Sequence, residues 1–406
     1  MKQLSIVSAA TTTTFVLLLV VSSAAANVPM TEPPNAGAVG ARAASAAPVR
    51  LRTLARSPGV ITAFAQDGPT IAWASASGDH YRVRAKNVST GKSAILGTAG
   101  GSSCHLQRPM LAVGGDRVLW TSCAIGTRLY IEGKTTTLTE QLRRRKPRPV
   151  GVFEIGQGDE CSYDAFFAGA AGDGRNGLVY GSLAVRPPVP DSEACDYHGF
   201  DRVVGGGGVE LVGEPPAPTP IPNVPAPVPA FYGRGGVPAF TRQLSVSQGH
   251  VAVLGTPDVI AGDAYGPLLP GPAENGPVST YTLGGTLVSR VFPPGTVREV
   301  ALSWPHLAVL VRRRDGSQLL AWYDAARGAR ETYVGVPQAA SDIALGPPGI
   351  VFRIGNGIYS AGDGAYQLLW LAKTSPVGLS IEGRRVAWGV NSNGLSRIVA
   401  FTFPSG

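Results

Sequence analysis

Apolar residues recur along the chain in short triplets framed by turn residues. Seven stand out: Ile71-Ala72-Trp73, Val118-Leu119-Trp120, Leu178-Val179-Tyr180, Val251-Ala252-Val253, Leu307-Ala308-Val309, Ile350-Val351-Phe352 and Val386-Ala387-Trp388. Each is preceded by Gly, Asp or Pro, and is followed by a second turn and a segment of alternating polarity. In the first unit, Thr70 to Ser75 reads as an inner strand and Ser77-Gly78-Asp79 as a turn. Tyr81 to Val88 then alternates, Thr90-Gly91-Lys92 turns again, and Ser93 to Leu96 supplies an outer strand. The unit around Leu307 repeats this order with Arg314-Asp315-Gly316, Leu319 to Tyr323, Ala326-Arg327-Gly328 and Glu331 to Val334. Period-two alternation between tight turns predicts antiparallel strands. A strand-turn unit repeated around a chain predicts the four-stranded blades of a β-propeller.

The seventh unit offers only three strands: Gly378 to Ile381, Arg385 to Val390 and Arg397 to Phe403. Val49 to Leu54 precedes the first unit and belongs to no other. Pairing it into the last blade would close the ring and remove two exposed sheet edges. The predicted fold class is therefore all-β: a single propeller of seven four-stranded blades, closed by an N-terminal strand, over residues 49–406. The nearest approach to a helix, Thr137 to Arg145, reads as a short surface turn.

Composition agrees with this. The 406 residues include 53 Gly and 34 Pro, with 15% charged and 44% hydrophobic residues. There is no three-residue Gly period, which excludes collagen, and the apolar content excludes a disordered chain. Residues 1–26 have the form of a signal peptide: Lys2, the apolar run Phe15 to Val21, then Ala24-Ala25-Ala26. Residues 27–48, rich in Ala and Pro, read as a flexible tether. The expectation is a secreted or cell-envelope protein with no transmembrane span once the signal is removed.

With hairpin grammar such as Asp315-Gly316 before Trp322-Tyr323-Asp324, and Val88-Ser89-Thr90-Gly91-Lys92, the repeats resemble secreted bacterial β-propellers of the TolB-like and WD-repeat-like kind. The resemblance spans residues 49–406 and implies a propeller fold.

Four cysteines, Cys104, Cys123, Cys161 and Cys195, in an oxidising compartment suggest two disulfides. Sequence order, Cys104–Cys123 and Cys161–Cys195, is the expected pairing, because Leu111 to Trp120 forms a hairpin between the first two. The second bond would gather Asp159, Glu160, Asp164, Asp191, Glu193 and Asp196, oxygen ligands in numbers that could hold Ca2+ or simply solvate a loop. No other cofactor is indicated. Arg143, Arg144, Arg145, Lys146 and Arg148 form the strongest charge run, placed by the sequence between blades two and three. It reads first as a solvated loop; no aromatic residues interleave with it, so as a partner an anionic envelope polymer or lipid headgroup suits it better than nucleic acid. Glu214 to Ala230 carries eight prolines and reads as a stiff spacer.

Catalytic signatures are missing. There is no HExxH, no G-x-S-x-G, and no pair among His80, His105, His198, His250 and His306 at helical spacing. Gly172-Asp173-Gly174-Arg175-Asn176-Gly177 matches G-x-G-x-x-G but precedes a strand, so it reads as a hairpin turn. The triplets, taken as the strands lining the channel, carry Ala, Val and Trp and no acid. The favoured function is thus a non-catalytic binding or assembly scaffold for an unknown protein or envelope polymer. The alternative is a lactonase-like propeller hydrolase or lyase, possibly using calcium. An enzyme would be marked by acids or histidines converging at one mouth of the channel.

Overall fold

The computed structural model describes residues 50–403 apart from 79, 102–108, 126–128, 156–163, 186–206, 214–217, 226, 228–242, 256–276, 363 and 393–394. These residues form seven four-stranded antiparallel sheets arranged as a β-propeller. From the axis outward, blade 1 comprises Ile61–Asp67, Thr70–Ser77, His80–Asn87 and Ser93–Gly101. Blade 2 comprises Leu111–Gly114, Arg117–Ile125, Leu129–Thr137 and Arg148–Ile155, and blade 3 Asp164–Ala171, Val179–Val185, Gly207–Val212 and Pro218–Pro220. Blade 4 runs Leu244–Ser247, His250–Leu254, Val278–Thr282 and Leu287–Val291, and blade 5 Thr296–Ser303, His306–Arg312, Gln318–Asp324 and Ala329–Val336. Blade 6 runs Ala340–Gly346, Gly349–Ile354, Gly357–Gly362 and Ala365–Leu371. Blade 7 joins Val377–Glu382, Arg385–Val390 and Ser396–Thr402 to an outer strand from the other end of the chain, Arg52–Ser57. Arg52 pairs with Ala400 and Ser57 with Ser396, with a bulge between Thr53 and Ala55. The expected closure is thus present.

The triplets are not the innermost strands. Every one lies at the start of the second strand, and the strand before it lines the axis. The reason is their two-sided burial. Seven apolar clusters fill the seven junctions between adjacent blades. The third triplet residue always faces the preceding blade: Trp73 packs with blade 7, Trp120 with blade 1, Tyr180 with blade 2, Phe352 with blade 5 and Trp388 with blade 6. The middle residue faces the following blade, and it is Ala in four blades, Ala72, Ala252, Ala308 and Ala387. A strand buried on both faces reads as a continuous apolar run. A large side chain on one face and a small one on the other let wedge-shaped neighbours interlock at interior density.

Two local readings also change. Thr137 to Arg145 contains a one-turn helix, Leu138–Leu142, held by a capping box in which Thr137 Oγ1 accepts from Glu140 N at 3.0 Å and Glu140 Oε2 accepts from Thr137 N at 3.0 Å. The Pro-rich stretch is not merely a spacer: Pro218–Pro220 pairs with Glu210–Val212 as the outer strand of blade 3. Proline cannot donate to a ladder, and an outermost strand has one side with no ladder to supply. Beyond it, Ile221 and Val224 are buried in the junction with blade 4.

Candidate functional site

The seven innermost strands enclose an axial channel of about 390 Å³. Phe64, Leu111, Ala170, Val300, Ile343 and Leu379 contribute to its wall, and polar groups gather at one end, where each innermost strand turns into the second. Antiparallel connectivity puts the first-to-second and third-to-outer connections on that face of the ring, and all other connections on the opposite face.

At the polar end, Asp67 and Glu382 hold the same register position, each the last residue of its innermost strand, in adjacent blades 1 and 7. Asp173 joins them from the glycine-rich hairpin of blade 3. Asp67 Oδ2 accepts from Gly115 N of blade 2 and from Gly174 N of blade 3, the latter at 2.7 Å. Asp173 Oδ2 accepts from Gln248 N of blade 4. Arg385 donates from Nε to Gln66 Oε1 at 2.8 Å and from Nη2 to Gly68 O at 2.6 Å, while Gln66 Nε2 donates to Ser380 O at 3.1 Å.

Burial raises the proton affinity of Glu382, the Asp67 charge adds to this, and the Gly68 amide and Arg385 oppose it. Burial also raises that of Asp173, aided by Asp67 against the Gln248 amide. Burial pulls the Arg385 guanidinium below its ordinary range, opposed by Glu382 and Asp67. Acids therefore do converge at a channel mouth, which the triplets had not revealed. One oxygen each of Asp67 and Asp173, however, is engaged by backbone amides of neighbouring blades.

The same device recurs around the ring. Arg117 of blade 2, buried, donates to Val212 O at 2.7 Å and Gly213 O at 2.9 Å in blade 3. Ser245 and Ser247 of blade 4 accept from Leu302 N at 2.9 Å and Trp304 N at 3.1 Å in blade 5. Glu299 of blade 5 accepts from Asp342 N and Ile343 N of blade 6, both at 2.9 Å. Asn391 of blade 7 bonds Ile61 N at 2.8 Å and Ile61 O at 2.9 Å. Between blades 6 and 7 the approach itself is close: a Cβ on Gly346 would lie 2.4 Å from Ile381 Cγ2.

The basic run sits elsewhere than expected. Arg143 to Arg148 lies within blade 2, between its third and outer strands, not between blades two and three. Its members are exposed, and Arg148 meets Glu140 at 3.3 Å. The structure does not bring this loop to the channel lining. Gly172 to Gly177 is a hairpin, as read, but it also supplies Asp173. His250 stacks on Trp304 with ring centres 3.6 Å apart, and His306 meets Glu331 at 3.3 Å.

Asp159, Glu160, Asp191, Glu193, Asp196, Cys104, Cys161 and Cys195 lie outside the described residues, as do the side chains of Asp164 and Cys123. The backbone of Asp164 starts the innermost strand of blade 3, and that of Cys123 pairs with Ile131 in blade 2. Among the described residues, no group of three His, Cys, Asp or Glu side chains is placed to hold a metal ion. The same residues contain no helix long and apolar enough to cross a membrane.

The longest connections, 186–206, 221–243 and 255–277, all leave from the face opposite the acids. They cluster on blades 3 and 4 and the link between them.

No family model matches the chain, and no curated protein matches its sequence. Solved structures do resemble it. The β-propeller domain of the Trilobed protease from Pyrococcus furiosus gives a TM-score of 0.50 at 8% identity, covering 86% of this chain and 94% of that one. BamB from Moraxella catarrhalis gives 0.42 at 12% identity, covering 84% and 86%. Acylaminoacyl peptidase from Pyrococcus horikoshii gives 0.47 at 9%, covering 82% of this chain and 49% of that one, so the chain spans about half the peptidase's length. At 8% identity the first of these likenesses shows the propeller fold alone.

Proposed function

We propose that this protein is an exported binding or assembly scaffold, related to TolB-like or WD-repeat-like propellers, that holds a partner on the loop face of blades 3 and 4. One observation carries the reading: the three longest connections leave from a single face, while Asp67 and Asp173 at the opposite mouth are bonded to backbone amides of neighbouring blades. A carboxylate fixed by amides fastens a structure, whereas a general base must be free to reach a substrate proton. A rigid ring also leaves less ordering to be done when its loops engage a partner.

The test replaces residues 186–206 and 255–277 by short turns. The ring should melt within about 2 °C of the parent, since lengthening a loop changes closure entropy only slowly. Cross-linking to envelope proteins in the parent's own host should be lost. Retained cross-linking would refute the loop-face reading. The hydrolase or lyase alternative draws on the convergence of Asp67, Asp173 and Glu382. Turnover of a lactone or ester panel that disappears in Glu382→Gln would establish it instead.

A further inference from the structure

Blade 1 carries a row of cations that no carboxylate among the described residues pairs with. Along His80–Asn87, Arg82, Arg84 and Lys86 alternate with buried Val83 and Ala85, so the three leave one face of the strand at spacings of about 7 Å. Their cross-strand partners are Ser75, Trp73 and Ile71. Ile71 and Trp73 belong to the core shared with blade 7, so the row stands on the wall facing that blade.

The opposite wall is the closing strand. Arg52 pairs with Ala400, a member of the same core, and thus faces the same cleft. Lys86 Nζ donates to Leu54 O at 2.7 Å, which ties the walls together at one level. Arg84 Nη1 donates to Ser75 Oγ at 2.8 Å, and the Arg82 side chain makes no hydrogen bond or ion pair among the described residues. Burial and the neighbouring Arg82 both make Arg84 harder to keep protonated. Like charges held together in a half-buried cleft are unfavourable until a counter-charge arrives.

We propose that the cleft between blades 7 and 1 binds a linear phosphodiester polymer whose linking groups are not aromatic. Three of the four cations are arginines, whose forked donors match phosphate oxygens two at a time. The row is straight and evenly spaced, which suits an extended repeating polyanion better than a single anion. Trp73 and Phe64, aromatic residues of this wall, are both buried and offer no platform for bases. The inference rests on the scaffold reading insofar as that reading places the protein among envelope polymers, and it names a ligand site apart from the loop face.

The experiment follows fluorescence anisotropy of a labelled ten-unit poly(glycerol phosphate) with the full chain between 50 and 300 mM NaCl. Three or four phosphate contacts should give a slope of log K against log salt of about −2 to −3, taking ~0.7 per contact. Arg82→Gln, which breaks no internal bond, should melt like the parent, weaken binding at least about fivefold and lower the slope by about 0.7. A triple Arg143→Gln, Arg144→Gln, Arg145→Gln variant removes more charge from the other side of blade 1. It should weaken binding less than about threefold, through long-range attraction alone.

Equal losses in the two variants would overturn the site, as would equal affinity for polyglutamate of the same charge. Tighter binding of a ten-base oligothymidylate would assign the cleft to nucleic acid and likewise overturn the proposal. No binding at 50 mM NaCl also overturns it. Since the shortened-loop variant keeps the cleft, polymer binding and partner cross-linking can fail separately, which distinguishes this inference from the scaffold reading.

Discussion

Asp67 is the residue whose removal should tell most about how the ring holds together. Its side chain is 6% exposed, and one oxygen accepts from the amides of Gly115 and Gly174, in two other blades. Asp67→Ala leaves both donors without this acceptor. A bond to a charged group is worth about 1.5–3 kcal/mol, so two give ~3–6 kcal/mol. Part of this is offset, because Asp67 also raises the proton affinity of Glu382 and Asp173, and removing its charge relieves that repulsion. A net loss of about 2–4 kcal/mol is expected. For a large domain each kcal/mol moves the melting temperature by about 2 °C, giving a drop of roughly 4–8 °C. Asp67→Asn retains an acceptor oxygen without the charge and should lose about 1 kcal/mol. Scanning calorimetry at pH 7, repeated at two scan rates, supplies the measurement. If Asp67→Ala melts within 1 °C of the parent, the acids at this mouth are not fasteners, and the argument against a reactive site loses its basis.

Glu382 and Asp173 bind protons more tightly in the folded chain than when unfolded, where such groups titrate near pH 4. The folded state then holds more protons above that pH, so their contribution falls as pH rises from about 4 through the raised values. Glu382→Gln should flatten this decline and be at least as stable as the parent at pH 7; an unchanged pH profile of the melting temperature would contradict the assignment. Truncation through Ser57 removes the outer strand of blade 7 with its buried Leu54 and Ala55. It should cost at least ~3 kcal/mol and produce oligomers on size-exclusion chromatography through the bared edge of Ser396–Thr402, whereas a monomer of parental stability would refute closure by this strand. Peptide mapping without reduction should recover Cys104–Cys123 and Cys161–Cys195, bonds worth about 2–4 kcal/mol each, and free thiols at all four or a Cys123–Cys161 bond would refute the pairing.

Blade number and ring closure were legible because the triplets are buried on both faces, and such burial leaves an uninterrupted apolar signature. Which strand faces the axis was not legible from them. Trp120 and Trp388 look like channel-lining residues only if apolar character is equated with centrality; they belong instead to the junctions between blades. The innermost strands meet the channel on one side, so polar residues interrupt their apolar runs, as in Leu244-Ser245-Val246-Ser247. A signal for the mouth does exist: Asp67-Gly68 and Glu382-Gly383 stand at equivalent places just before their triplets. Asp173-Gly174 is displaced by a longer hairpin, so period alone would not align it. The proline strand was obscured for another reason. Proline argues against a strand in general, yet an outer strand such as Pro218–Pro220 needs ladder bonds on one side only.

The division between the two faces follows from where a propeller can tolerate change. At the acid-bearing mouth, innermost hairpins from several blades meet within a few ångströms. A Cβ on Gly172 would fall 2.1 Å from Val113 O, and one on Gly114 2.7 Å from Gly174 O. Inserted residues there would separate blades that Asp67 and Asp173 hold together. At the opposite ends of the strands Asn391 still bonds Ile61 across blades 7 and 1, but a loop added to blade 3 or blade 4 there leaves that bond in place and is charged only the slowly growing entropy of closure. Residues 186–206 and 255–277 both interrupt the turn between a second and a third strand, the same point in blades 3 and 4. Blades 1 and 6 make that turn in two residues, Gly78-Asp79 and Gly355-Asn356. The extra length is therefore not demanded by blade geometry. Two neighbouring blades have extended the same turn on the same face, where a partner spanning both would meet them together, and this is why the scaffold reading is placed there and not at the channel.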